Sequence, residues 1–129
     1  MKLRGPWIEH LTEDEGLTYP QACDYLDPYE CVPYVENDEH MATLLKNKAE
    51  VHFCIYRKYR RKGYVTLRRI REFLLPLLER EGFLITKLGH GEPERFIRRL
   101  GFEQIGATAS HRIYMLNTIP LLEKHHDQT

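Results

Sequence analysis

The chemistry-bearing stretch of this chain is Tyr59-Arg60-Arg61-Lys62-Gly63-Tyr64-Val65-Thr66. A hydrophobic and aromatic run, Val51 to Tyr56, leads into it, and an amphipathic segment, Leu67 to Leu78, leads out. Strand, basic turn with one glycine, then helix is the layout of an anion-binding loop. Backbone N–H groups and the positive end of the helix dipole attract a phosphate there. The charge pattern agrees: every charged residue from Arg57 to Arg71 is basic, whereas acidic residues dominate from Glu9 to Glu50. With 19 basic and 19 acidic residues the net charge is zero, so the asymmetry points to a local anion site and not to a polycation for nucleic acid.

The elements that must position this loop follow from periodicity. Glu50 to Arg57 reads as a strand, with Val51, Phe53 and Ile55 alternating against His52, Cys54 and Tyr56. Cys31 to Glu36 and His40 to Leu45 are short strands joined by the turn Glu36-Asn37-Asp38-Glu39, and Asn47-Lys48 turns the chain into the third, giving an antiparallel meander. Leu67, Ile70, Leu74, Leu77 and Leu78 form one stripe of a helix that Gly82 ends, with Pro76 expected to kink or loosen its last turn. Phe83 to Leu88 then reads as a buried strand, so strand, helix and strand imply a right-handed crossover and a parallel pair. Pro93 suits the first position of a second helix that turns Phe96, Ile97 and Leu100 inward and stops at Gly101. Phe102 to Ile105 and Ser110 to Leu116 close the sheet. At the N-terminus, Thr12 caps a short helix after the apolar turn of Trp7, Ile8 and Leu11, and a second short helix spans Gln21 to Leu26. Tyr19, Tyr25, Tyr29 and Tyr34 give that region apolar area with polar tips, read as a loop packed on the domain by its aromatics or as a binding surface.

The 129 residues, 42% of them hydrophobic, suit one domain with a real core. Three cysteines in no C-x-x-C arrangement read as reduced thiols, and no metal set is visible; His125-His126 reads as solvated tail. No apolar run reaches the ~20 residues that span a bilayer, and no leader pattern follows Met1-Lys2, so the expectation is a soluble, cytoplasmic protein.

Arg60 and Gly63 after a strand resemble the acyl-CoA loop of the GNAT superfamily of acetyltransferases, whose pattern is Gln or Arg, two residues, Gly, one residue, then Gly or Ala. Arg95-Phe96-Ile97-Arg98-Arg99-Leu100-Gly101-Phe102, followed by Gln104-Ile105-Gly106, resembles that family's second helix and its Leu-Gly-Phe exit into a strand. The resemblance covers residues 51–116, preceded by a divergent part at 1–45 and followed by a tail at 117–129. It implies a mixed, mostly antiparallel twisted α/β sheet with a central crossover. It implies acetyl-CoA as cofactor, with no metal. The cofactor-binding set is then Ile55 and Tyr56 at the strand end and Arg60, Arg61, Lys62, Gly63, Tyr64, Val65 and Thr66 in the loop. Val65 stands where the family has its second small residue, and a β-branched side chain there crowds a pyrophosphate. Active members often carry a tyrosine that protonates the leaving thiolate; its place is taken by Ile97. His90 stands where an asparagine commonly precedes that helix. His52, with Glu50 behind it, is the strand candidate for a general base, and His90 for the acid. The plainer reading of each is a hydrogen-bonded structural histidine.

Three functions compete on this reading. An N-acetyltransferase would move an acetyl group from acetyl-CoA to a small amine or a lysine. A non-catalytic interaction protein on the same fold is the alternative: Val51-His52 and Arg95-Phe96-Ile97 also resemble small GNAT-like proteins of tailed phages, some associated with virion or head assembly. Its partners would be other virion or host proteins, or copies of itself in an oligomer, in the host cytoplasm or the virion. A nucleic-acid binder stacking bases on Tyr56, Tyr59 and Tyr64 is disfavoured by the zero net charge.

Overall fold

A computed structural model describes residues 1–61 and 63–118. Lys62 and residues 119–129, including Pro120, His125 and His126, lie outside the described residues. The chain divides into two compact units, Met1–Val65 and Thr66–Thr129.

In the first unit, helix α1 (Gly5–Glu9) runs directly into one π-helical turn, His10–Asp14, closed by Glu15 N–H on His10 O. Pro6 starts α1 because its fixed φ suits the first turn and its missing donor costs nothing there. The helix therefore begins well before Thr12. That residue caps nothing: its hydroxyl donates to Ile8 O inside the π turn. Helix α2 (Tyr19–Leu26) starts two residues before the expected Gln21, because Thr18 and Gln21 close a reciprocal capping box.

Strands β1 (Glu30–Glu36), β2 (Glu39–Asn47) and β3 (Glu50–Ile55) form the expected antiparallel meander. The first hairpin turns through Asn37 and Asp38, both at positive φ, as a two-residue hairpin of right-handed twist requires. The second turns at Lys48 and Ala49, one residue later than expected, since Asn47 still pairs with Glu50. β3 is shorter than its sequence pattern. It stops at Ile55, Tyr56 N–H makes the last bond to Met41 O, and Arg57–Tyr59 coil into a 3-10 turn. Strict alternation also fails: Val51 and Cys54 are the buried positions of β3. Cys54 is drawn in because Trp7, Leu11, Ala22, Leu26 and Leu45 pack with it under the two helices.

Thr43 ties the N-terminal segment to this sheet. Its carbonyl accepts from Trp7 Nε1 at 2.9 Å and its hydroxyl donates to Leu3 O at 2.6 Å. Gly5 is required for a steric reason: a Cβ there would sit 1.7 Å from Tyr56 Oη.

In the second unit, helix α3 (Leu67–Glu81) is capped by Thr66, whose side chain accepts from Arg69 N–H, and ends on Gly82 at φ 84°. Ile70, Leu74, Leu77 and Leu78 are its buried stripe. The helix continues past Pro76 to Glu81 without a break. Burial of Leu74, Leu77 and Leu78 on either side holds the last turns where the missing donor would otherwise loosen them. β4 (Leu84–Gly89) starts after Phe83, which is exposed. Helix α4 (Arg95–Leu100) begins with Glu94 as its cap, so Pro93 precedes the helix instead of opening it. One and a half turns cannot bury a full stripe. Leu100 is buried, Ile97 is half-buried and Phe96 is exposed, so Phe96 does not face inward as its spacing suggests. β5 (Glu103–Ala107) and β4 both pair antiparallel with β6 (His111–Leu116), and β5 bulges between Gln104 and Gly106. The order β3, α3, β4 along the chain is the one the spacing predicts.

No helix among the described residues is long and apolar enough to cross a membrane.

Candidate active site

The basic turn is built by the end of β3. Arg60 is exposed yet engaged within the chain: Nε donates to Ile55 O at 3.0 Å, Nη2 approaches Cys54 Sγ at 3.9 Å, and Nη1 lies 3.6 Å from Asp14 Oδ2. Arg57 bonds the other oxygen of Asp14 through Nη2, and its backbone N–H donates to Glu9 Oε1 at 2.7 Å. The π turn therefore carries an acidic counter-ion to the turn that follows β3. Its bond with His10 and the Arg57 guanidinium hold Asp14 below the usual carboxylate range.

Beyond Arg60 the chain opens. Arg61 is exposed, and Gly63 adopts φ 95° with nothing within 4 Å of the place a Cβ would occupy. Tyr64 N–H is already bonded to Arg61 O at 3.3 Å, so the loop satisfies part of its own backbone. Val65 is half-buried. Tyr59 and Tyr64 meet edge to face with centroids 5.7 Å apart, and Tyr59 Oη donates to Glu39 at 2.7 Å. Lys58 Nζ lies over the Tyr59 ring at 5.0 Å and near the Tyr56 ring at 6.0 Å. Thr66, the first residue of the second unit, serves as the cap of α3.

Upstream on β3, His52 is held by Glu50: Nε2 to Oε2 is 2.7 Å. A carboxylate only accepts, so Nε2 carries the proton and Nδ1 of the neutral ring carries the lone pair. Tyr29, which follows α2, donates its hydroxyl to the same Oε2 at 2.9 Å, and its ring meets the His52 ring edge to face at 5.7 Å. Burial, with the Glu50 carboxylate, drives the Tyr29 phenol far above its ordinary value, so it stays protonated. Tyr29, Glu50 and His52 form a hydrogen-bonded triad that orients one imidazole, the arrangement of a positioned general base. Glu50 and His52 are readable as a pair from their spacing. Tyr29 is not, because its link to Glu50 exists only once α2 is docked on the sheet.

His90 is placed differently. It is exposed beyond β4, and Nε2 donates to Thr108 O at 2.9 Å, so its visible contact is to backbone. Glu94, the residue at the start of α4, is the centre of a second network. Glu94 accepts from Tyr114 Oη, pairs with Arg98 Nε at 2.9 Å, and lies 3.5 Å from Arg112 Nη1. The Tyr114 hydroxyl, then Arg98, hold Glu94 below the usual carboxylate range. Tyr114 is fully buried, and its phenol is raised by that burial and by Glu94. The i,i+4 spacing of Glu94 and Arg98 hints at part of this network in the sequence; the β6 members are joined to it only by the strand pairing. Among the described residues no group of His, Cys, Asp and Glu could hold a metal ion.

No protein-family model and no curated protein sequence matches the chain. Solved structures do. A protein from Pyrococcus horikoshii superposes with a TM-score of 0.67 at 14% identity, covering 91% of each chain. The ribosomal-protein-alanine N-acetyltransferase of Brucella melitensis gives 0.56 at 12% identity over 79% of this chain and 80% of its own. The ribosomal-protein-S18-alanine N-acetyltransferase of Escherichia coli gives 0.51 at 16% identity over 78% and 76%. At such identities the likeness shows the fold alone: the chain shares its mixed, mostly antiparallel α/β frame with these solved structures.

Proposed function

We propose that the protein is an acetyl-CoA-dependent N-acetyltransferase acting on an amine. The observation that carries this reading is His52, fixed on β3 by Glu50 and Tyr29, on the strand that runs into the Gly63 turn. The turn suits a phosphate on its outer side. Gly63 offers open backbone at positive φ, and Arg61 is exposed. Arg57 and Arg60 can turn to an incoming pyrophosphate when Asp14 yields them. Ile55, Tyr56, Arg61, Gly63, Tyr64, Val65 and Thr66 complete the proposed cofactor set, with Lys62 from the sequence.

When bound, acetyl-CoA supplies an acetyl group activated as a thioester. His52 Nδ1 takes the proton from the acceptor's ammonium, and Glu50 stabilises the imidazolium that results. The neutral amine nitrogen would then bond to the acetyl carbon as the carbon–sulfur bond breaks, its second proton passing to the departing sulfur, giving an amide and free CoA.

Calorimetric titration with acetyl-CoA tests the reading, followed by mass-spectrometric detection of an acetylated amine. We expect binding in the micromolar to low millimolar range and stoichiometric CoA release. Absence of heat and of thermal shift at millimolar ligand overturns it.

The Asp14 counter-ion favours a second reading, in which the frame serves as a non-catalytic interaction module such as a virion or assembly protein. Arginines neutralised from within the chain are not waiting for a phosphate. That reading expects a tight protein partner or a defined oligomer by sedimentation, and no acetyl-CoA turnover.

A further inference from the structure

We infer that the outer face of helix α4, formed by Arg95, Phe96 and Arg99, docks an acidic protein segment that carries an apolar side chain beside its carboxylates. The inference is independent of the acetyltransferase reading, because none of these residues belongs to the proposed cofactor set or to the His52 triad.

A helix of six residues is too short to hold its shape unaided. α4 is instead fastened at both ends. At its start, Glu94 accepts from Tyr114 Oη and pairs with Arg98 Nε at 2.9 Å. At its end, Arg71 of α3 donates through Nη2 to Arg99 O, and Gly101 N–H returns to Arg98 O at 3.0 Å. Leu100 is its one buried residue. A helix fixed in this way presents its outer side chains without the ordering cost that a flexible loop incurs on binding. Positions 95, 96 and 99 share one face of it. Phe96 is 40% exposed, and Arg95 and Arg99 are exposed beside it. Arg98 differs, being turned to Glu94 and to the Tyr114 ring, whose centroid lies 5.8 Å from its guanidinium carbon. Among the described residues neither the Arg95 nor the Arg99 side chain has an ion pair.

Two guanidinium groups one turn apart repel each other, and the phenyl ring beside them adds apolar surface to water. The chain by itself gains nothing from this face. An acidic partner supplies both missing terms. Its carboxylates accept bidentate bonds from the guanidinium forks, and its apolar side chain covers the Phe96 ring. Arginine beside an aromatic residue is the composition of interface anchors, where lysine is depleted; α4 carries three arginines and no lysine. A nucleic acid fits the face less well. Its affinity grows with the number of phosphates neutralised, and two uncommitted guanidinium groups engage few of them. The zero net charge of the chain adds no long-range attraction.

The test uses the full-length protein and a fluorescent peptide of glutamates around one central leucine, with binding read by anisotropy. One control peptide has glutamine in place of the glutamates, another has serine in place of the leucine, and a single-stranded oligo-uridine serves as the polyphosphate. We expect saturable binding of the glutamate–leucine peptide and roughly 5-fold or greater weakening with each control. Arg95→Gln combined with Arg99→Gln should weaken it roughly 10-fold or more, and Phe96→Ser roughly 3- to 10-fold, with circular dichroism unchanged. Arg95→Lys with Arg99→Lys keeps the charge and loses the fork, so it should fall between the parent and the glutamine variant. Arg80→Gln, in the last turn of α3, should bind as the parent does. Binding that survives the double glutamine change, that Arg80→Gln weakens as much, or that is absent at millimolar peptide overturns the inference. Tighter binding of oligo-uridine overturns it in favour of a nucleic acid. A dimer in sedimentation that the double glutamine change dissolves overturns it in favour of a second copy of the chain.

Discussion

Two side chains carry opposite roles around the functional reading, and each has a distinct signature. Asp14 competes with any phosphate for Arg57 and Arg60. These pairs are partly exposed and weakened by solvent screening. Asp14→Asn should therefore tighten acetyl-CoA binding roughly 2- to 5-fold, read by calorimetry, and steepen its dependence on salt. His52 takes the proton in the proposed transfer. His52→Gln should lower kcat by roughly 100-fold or more with acetyl-CoA affinity little changed. The deficit should shrink as pH rises, because the acceptor amine then deprotonates without help. A deficit independent of pH would assign His52 a packing role. At this scale the sequence exposed the Glu50 and His52 spacing, the basic turn and Gly63. It concealed that two of the arginines are already paired, since Asp14 is more than forty positions away along the chain from Arg57.

Element boundaries were decided by caps more than by hydrophobic period. Thr66 and Thr18 each hold the first turn of a helix through a side-chain oxygen. Thr66→Ala should cost about 1 kcal/mol, read as a lowered urea midpoint, and should loosen the start of α3 where the proposed phosphate loop ends. Gly5 sets a different limit, because α1 passes so close to Tyr56 that no side chain fits. Gly5→Ala should displace the Tyr56 ring at about 1–3 kcal/mol, visible as lost stability and altered tyrosine fluorescence. The meander, the long helix and Gly82 as its stop were legible from spacing alone. The inward assignment of Phe96 was not, because a helical period over so short a segment does not say how many of its turns are covered.

Each of the two compact units contains its own buried residues, and pH acts on them through buried ionisable groups. Burial pushes the Cys54 thiol up to about 11 from its ordinary 9.0. The folded chain thus keeps this proton where the unfolded chain loses it. Stability from this group is full below pH 9 and declines as pH rises through about 11, amounting to roughly 2 kcal/mol at the upper end. Denaturant titrations between neutral pH and pH 11 should show that decline, and Cys54→Ala should flatten it. The same burial should keep Cys54 unreactive towards iodoacetamide at neutral pH while Cys23 and Cys31, both partly exposed, are alkylated.

By itself the sequence determined the order of elements, the strand, basic turn and helix at residues 51–78, and the family likeness that the superposed structures support as a fold. Those features depend on local spacing, caps and glycine positions, which the chain carries within a few residues. Only the tertiary structure decided which charges meet. Asp14 reaches Arg57 and Arg60, and Tyr29 reaches Glu50, because α1 and α2 fold onto one face of the β1–β2–β3 meander. Contacts between residues far apart in sequence have no period and no spacing to betray them, so the basic turn reads as free cation in the sequence and as a partly neutralised one in the fold.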